Sequence, residues 1–280
     1  SQLINRIPKP TRRRAQLKIP LAILSIMVAF VIAVTIIIPY FATSFAPLIP
    51  FEWEAKLGKN MYAQWMDGEQ ICSHPEGIAA LHTLQTKLPF EHPIQLAVMR
   101  SEKANAFTLP GGYIVLLEGL IREAESPEEV TGILAHELGH VHHRHILERT
   151  LNTVGVGLMV DMFTGGGGTA IYATSAILQL SFSREQEAEA DSYALTLLDQ
   201  NHINPARMAD FFSRAAKTNE GEQWQEMLEF ISTHPAAQAR IDDIRTWAAE
   251  QKTAYQPTLS QQEWNALKNI CDDSTGNRNL

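Results

Sequence analysis

His136-Glu137-Leu138-Gly139-His140, preceded by Ser126-Pro127-Glu128-Glu129, is the stretch on which the reading of this chain turns. Residues four apart on a helix share a face, so His136 and His140 can aim two imidazoles at one metal ion. Glu137 sits one residue round, where it can reach a water on the metal rather than the metal itself. The local sequence predicts the helix this requires. Ser126 reads as N-cap, Pro127 as the first helical residue and Glu129 as the side chain reaching back in a capping box. Val130, Ile133, Leu134, Leu138 and Val141 then recur at helical spacing. Taken alone, the run is equally readable as an ordinary amphipathic helix with two incidental histidines.

A second run supplies what the first lacks. Glu187-Ala188-Glu189-Ala190-Asp191 begins 47 residues past His140. Residues 183–198 read as a helix with alanine and leucine content, on which Glu187 and Asp191 share a face. A carboxylate there can complete a His₂Glu set that leaves one tetrahedral position open. Asp191, one turn on, can accept the outer N–H of a ligand histidine. Glu185 and Glu189 read as pointing away into solvent. A merely charged surface helix explains the alanines and leucines less well.

Four runs in order resemble one family: Asn105-Ala106-Phe107-Thr108-Leu109-Pro110-Gly111-Gly112, the His136–His140 run, Ser183-Arg184-Glu185-Gln186-Glu187-Ala188-Glu189-Ala190-Asp191, and His234-Pro235 followed by Arg240. From about Ile94 to Arg245 the chain is similar to the M48 peptidases, the Ste24/HtpX/Oma1-like zinc metallopeptidases of the gluzincin type. The resemblance implies that His136, His140 and Glu187 bind one Zn²⁺ and that Glu137 is the general base. It also implies that Asp191 backs a ligand, that His234 lies near the metal or the substrate, and that Arg240 supports the site. Asn105 borders the cleft in similar proteins and is expected to be a site-wall residue. Neither the four-helix membrane bundle of HtpX nor the membrane chamber of Ste24 is visible.

The chain has 280 residues and a net charge of −8. Residues 1–18 hold six basic side chains and no acid, which leaves 17 basic against 31 acidic residues, or −14, for the remainder. So acidic a body argues against nucleic-acid binding, which needs a basic face. Leu21 to Ile38 carries no charge and is bracketed by Pro20 and Pro39-Tyr40. Eighteen helical residues span roughly 27 Å, enough for the hydrocarbon core. The basic flank predicts a cytoplasmic N-terminus and a translocated body. A cleaved signal peptide is the competing reading, but the apolar run exceeds the length of a signal h-region. Cys72 and Cys271 can form a disulfide in an oxidising compartment or remain two free thiols; sequence leaves both open.

Residues 51–88 read as helical, with breaks at Asp67-Gly68 and at Pro75-Glu76-Gly77. Ile94–Val98 reads as a strand, and Ala106–Leu109 and Tyr113–Leu116 as a hairpin around Pro110-Gly111-Gly112. A strand with a free edge near the metal helix could receive an extended polypeptide substrate. Leu151 to Phe182 is interrupted by four glycines and is open to three readings: two core helices, a lid, or a hairpin dipping into membrane lipid. Asn204-Pro205 and His234-Pro235 read as helix starts. His142, His143 and His145 fall on other faces from His140. The tail from Thr258 to Asp272 reads as a short amphipathic helix, with disorder beyond Asp273.

The expected fold is α+β and mostly helical. It comprises a basic N-terminus (1–18), a transmembrane anchor (19–47), a zincin-type metallopeptidase domain with a small β-sheet (48–255) and a tail (256–280). The expected function is zinc-dependent endopeptidase activity, with polypeptide substrates bound in extended form, membrane lipid as a neighbour and a homo-oligomer left open. A zinc-binding chaperone or assembly factor is the alternative. A prenyl-peptide protease fits poorly, because one span offers no cavity for a lipid.

Overall fold

The computed structural model describes residues 11–164, 181–217, 232–235 and 238–272, with backbone alone over 11–18 and 158–164. The expectations for the glycine-rich stretch and for the residues after Asp273 therefore lie largely or wholly outside the described residues.

The apolar N-terminal segment is helical from α1 (Thr11–Ile32) through α2 (Ile38–Phe45). Ile19–Leu48 is long and apolar enough to cross a membrane, and Leu21, Ile23, Leu24, Met27 and Val31 all stand exposed. Pro20 and Pro39, which bracket the uncharged stretch in sequence, both lie within the helical segment. Pro20 lies inside α1, and the chain passes Pro39 by way of a π-helical turn over Ala33–Ile37. There Ile38 N–H reaches back to Ala33 O. Proline has no N–H and its ring crowds the preceding turn, and a π turn is one way a helix absorbs that.

Next come α3 (Phe51–Trp65) and α4 (Pro75–Thr86). Pro75 opens α4 rather than breaking a helix, since a first-turn proline forfeits no intrahelical bond. The sheet follows as β1 (Gln95–Met99), β2 (Ala106–Leu109) and β3 (Tyr113–Leu117). Its order is β1-β3-β2, with β3 parallel to β1 and antiparallel to β2. Central β3 is buried on both faces. Ile114 and Leu116 enter the main core, whereas Val115 and Leu117 enter a smaller cluster with Met61, Phe107 and Leu109, as a period of two dictates. The hairpin turn uses Gly111 at φ 72°, where any Cβ would strike the backbone of Ala55 in α3. The buried carboxylate of Glu54 accepts the Gly111 N–H at 3.0 Å.

The short α5 (Glu118–Glu123) leads into α6 (Pro127–His142), buried at every position from Glu129 to Val141. Pro127 is its first residue as expected, but the capping box does not form. Ser126 makes no side-chain cap. Glu129 instead accepts from Glu125 N–H at 2.9 Å and from the guanidinium of Arg214. A buried carboxylate needs such a charged partner more than a helix end needs a second cap.

Helices α7 (His145–Thr164), α8 (Arg184–Gln200), α9 (Ala206–Lys217), α10 (Gln238–Glu250) and α11 (Gln261–Lys268) complete the fold. Helix α7 packs along α2. Arg144, between α6 and α7, donates to Ala46 O at 2.8 Å and so ties the end of α6 to the foot of the apolar helix. Leu259, Trp264, Leu267 and Ile270 of the C-terminal segment are buried as its amphipathic pattern predicts, and α11 packs on α4. There Cys72 and Cys271 are joined by a disulfide across a sequence separation of 199.

Candidate metal centre

Helix α8 crosses α6 at Gly139. A Cβ at that position would meet the backbone of Ala190 at 2.7 Å, so only glycine permits this approach. The close crossing brings Glu187 on α8 against His136 and His140 on α6. His136 Nε2 lies 3.1 Å from His140 Nε2 and 3.6 Å from Glu187 Oε2, and His140 Nε2 lies 3.7 Å from Glu187 Oε1. His234, from the turn before α10, adds its Nδ1 at 3.3 Å from His136 Nε2 and 3.1 Å from Glu187 Oε1. All four residues are buried.

These separations allow a fit test. Ligand atoms placed tetrahedrally about 2.0–2.1 Å from an ion lie about 3.3–3.4 Å apart. The observed spacings of 3.1–3.7 Å, taken over both Glu187 oxygens, bracket that edge length. Three imidazole nitrogens and one carboxylate oxygen are a fitting donor set, so the group can hold a metal ion. Sequence reasoning placed His234 near the metal or the substrate; in the fold, its Nδ1 lies beside His136 Nε2 and Glu187 Oε1.

The two α6 histidines are backed differently. His136 Nδ1 lies 2.9 Å from Asp191 Oδ1. Arg240 clamps Asp191 with Nε and Nη2 at 2.7 and 2.8 Å and reaches Glu187 with Nη1. Burial works against the Asp191 carboxylate, yet its hydrogen bonds with His136 and Arg240 hold it at about 2. Burial likewise opposes the His136 cation, but Asp191 and the Glu187 charge raise its pKa above the ordinary histidine value. Behind His140 stands another imidazole instead: the two Nδ1 atoms of His140 and His145 are 2.9 Å apart. His145 Nε2 in turn lies 2.9 Å from Oε2 of the exposed Glu189. Burial, then the neighbouring imidazoles, push His140 well below its usual range. Burial also pushes His145 down to about 4 against the pull of Glu189.

Glu137 points into the same space. Its Oε2 accepts from the Thr108 hydroxyl of β2, and its Oε1 lies 3.4 Å from His234 Nε2. Asn105 is buried beside β2, accepting from Ala106 N–H at 2.9 Å and from the Thr233 hydroxyl at 3.4 Å. It therefore touches the turn that carries His234. Phe182 covers the cluster, stacked on the His140 ring at 3.6 Å with the Arg149 guanidinium 3.5 Å over its other face.

The structure thus brings together His136, Glu137, His140, Glu187, Asp191, His234 and Arg240, with Asn105 one residue removed. Sequence reasoning missed Thr108, Arg149, Phe182 and the His145–Glu189 pair. His145 and Glu189 were expected to face away. Instead the chain turns at Arg144, at φ 58°, and starts α7 with His145 folded back under His140.

Residues 78–248 match the model of peptidase family M48. The chain belongs to this family. Over 160 residues, 56% of the chain, it is 32% identical to the mitochondrial metalloendopeptidase OMA1 of Schizosaccharomyces pombe. Over 161 residues, 55% of the chain, it is 32% identical to the metalloprotease LoiP of Escherichia coli. Over 249 residues, 81% of the chain, it is 25% identical to the beta-barrel assembly-enhancing protease of Yersinia pestis. The matches span 47%, 62% and 50% of those relatives, so the chain covers about half to three fifths of their lengths. The M48 domain of this chain is a metallopeptidase domain, and its buried His136, His140, Glu187 and His234 group fits the metal dependence of that family.

Proposed function

We propose that this chain is a membrane-anchored zinc endopeptidase of the inner membrane, with its N-terminus cytoplasmic and its M48 domain periplasmic or otherwise extracytoplasmic. Its proposed task is quality control of misfolded membrane or exported proteins. The observation that carries the reading is the buried, closely spaced group of His136, His140, Glu187 and His234 with Glu137 beside it. The basic flank of the apolar helix supports the orientation, and so does the Cys72–Cys271 disulfide, which needs an oxidising compartment. Reduced cysteines that react with thiol reagents in intact cells would contradict it. The name of the beta-barrel assembly-enhancing relative supports the substrate class, and that of the OMA1 relative supports endopeptidase activity.

In this reading His136, His140 and Glu187 hold zinc, which when bound supplies Lewis acidity toward a water and the scissile carbonyl. Glu137 takes the water's proton and later delivers it to the leaving amine, with the Thr108 hydroxyl fixing its carboxylate. Asp191, clamped by Arg240, fixes the tautomer of His136. His234, beside Glu187 and Glu137, would be a further ligand to the bound ion or would face the developing oxyanion. Asn105 walls the cleft and steadies the His234 turn through Thr233. An extended substrate adds to the outer edge of β2. Leu117 N–H pairs with Asn105 O, so alternation turns the Ala106 carbonyl and the Thr108 main-chain groups toward that edge, the Ala106 N–H being held by Asn105 Oδ1.

His234 within the ligand group and Phe182 over His140 also favour a second reading, an assembly factor whose proteolysis is latent. One experiment separates the two. The full chain in detergent micelles is given casein, then 1,10-phenanthroline, then zinc. The proposal expects hydrolysis that chelation abolishes and zinc restores. Hydrolysis indifferent to chelation contradicts the zinc reading, and zinc bound without hydrolysis favours the assembly factor.

A further inference from the structure

Beyond the cluster on α6 and α8, a second group of metal-type ligands lies on its outer side. The ligand atoms of His143, His145 and Glu189 fall within 4.8 Å of one another. His145 is buried, His143 half-buried and Glu189 exposed. They border a pocket of about 440 Å³ that is also lined by Glu148, Glu185 and Gln186. Two imidazoles and a carboxylate, with further carboxylates at hand, suit a borderline divalent ion such as Zn²⁺ or Ni²⁺.

The contact between the two groups decides how they interact. An imidazole that binds a metal through Nε2 carries its proton on Nδ1. With His140 engaged at Nε2, its Nδ1–H donates to His145 Nδ1 across 2.9 Å, which leaves the His145 proton on Nε2, facing Glu189. An ion in the outer group needs that same Nε2 as a lone pair. Its binding must then either break the His140–His145 hydrogen bond, the His145 proton moving from Nε2 to Nδ1, or keep that bond and release the Nε2 proton to solvent, which leaves His145 an imidazolate. When His140 Nε2 holds no metal the conflict disappears, because His145 Nδ1–H can donate to His140 and its Nε2 is free.

We propose that His143, His145 and Glu189 form an outer divalent-cation site whose occupancy opposes that of the inner one through the shared His140–His145 hydrogen bond. Excess zinc would then slow the enzyme. The coupling rests on the proposed role of His140 as an inner ligand; the existence of the outer site does not.

The test is equilibrium dialysis of the metal-free full chain in micelles against Zn²⁺, alongside His143→Ala and the exposed-site variant Glu189→Gln, with circular dichroism as a check of folding. Wild type is expected to take up a tight ion and then a weaker second one; both variants are expected to lose only the second. Casein hydrolysis should fall in wild type over the range where the second ion binds, and should not fall in His143→Ala. A single ion in wild type, or a second ion retained in both folded variants, overturns the proposal. Inhibition by excess zinc that persists in His143→Ala overturns the coupling. Two ions reduced to one by His143→Ala, in a protein that never cuts casein, would keep the outer site and refute the peptidase reading instead.

Discussion

The two histidines of one helix turn, His136 and His140, are supported by opposite strategies. His136 is backed by full charge, Asp191 held in turn by Arg240, both largely buried at 9% and 12% side-chain exposure. His140 is backed by a neutral imidazole, and the compensating carboxylate of Glu189 waits at the surface at 56% exposure. A buried ion pair fixes geometry firmly, and removing one partner strands the other. A neutral relay holds a tautomer without burying charge, and it stays open to solvent and protons. The difference teaches that the Asp191 side serves rigidity while the His145 side is where the site can be adjusted.

Asp191→Ala breaks the rigid side and should have the largest effect. Arg240 then keeps only Glu187 as its carboxylate partner, which should cost about 1.5–3 kcal/mol in a denaturant melt, and zinc affinity measured by chelator competition should fall by up to about a hundredfold. A loss of affinity without a loss of stability would show that the Arg240 clamp does not matter.

Acid titration of the metal-free protein separates the sides by pH. Asp191 sits at about 2 in the fold, against an ordinary 3.8. Its contribution is therefore present above about pH 4 and is lost as pH falls toward 2. His145 sits at about 4 against an ordinary 6.5, so between those values the unfolded chain takes a proton that the folded one refuses. Stability must then fall as pH drops from 6.5 to 4. His145→Asn should flatten that slope by about 1.4 kcal/mol per pH unit, the worth of one proton. It should leave the window from pH 4 to 2 unchanged, where Asp191→Asn acts instead. Equal changes in both windows would erase the distinction.

His145→Ala should lower zinc affinity about tenfold, with rescue by His145→Gln, whose amide can still accept from His140. Smallest is Glu189→Gln, expected to change inner-site affinity by under about 1 kcal/mol, as for other exposed charges.

Much of the rigid side was legible in the sequence. The four-residue spacings of His136 with His140 and of Glu187 with Asp191 follow helical periodicity directly, and Gly139 within the motif proves to be what lets α8 approach. Arg240 carried no local signal and was suggested only by its family resemblance. The adjustable side was not legible, because His145 lies five residues past His140 and beyond the end of α6. Its position depends on the left-handed residue Arg144, which periodicity cannot foresee. Thr108 was hidden for a related reason. A strand residue reaches Glu137 only through tertiary packing, and the pattern of β2 marks it simply as buried. Likewise, Glu129 was read as a cap because its half-buried partner Arg214 is distant in sequence.

The most direct test of the account is casein hydrolysis by the full chain in micelles beside Glu137→Gln, with zinc content measured on both. Equal zinc in the two proteins, with hydrolysis lost about a hundredfold or more in the variant, is the predicted result. Equal zinc with undiminished hydrolysis would contradict the assignment of Glu137 as the base, and an absence of zinc from both would contradict the metal centre itself.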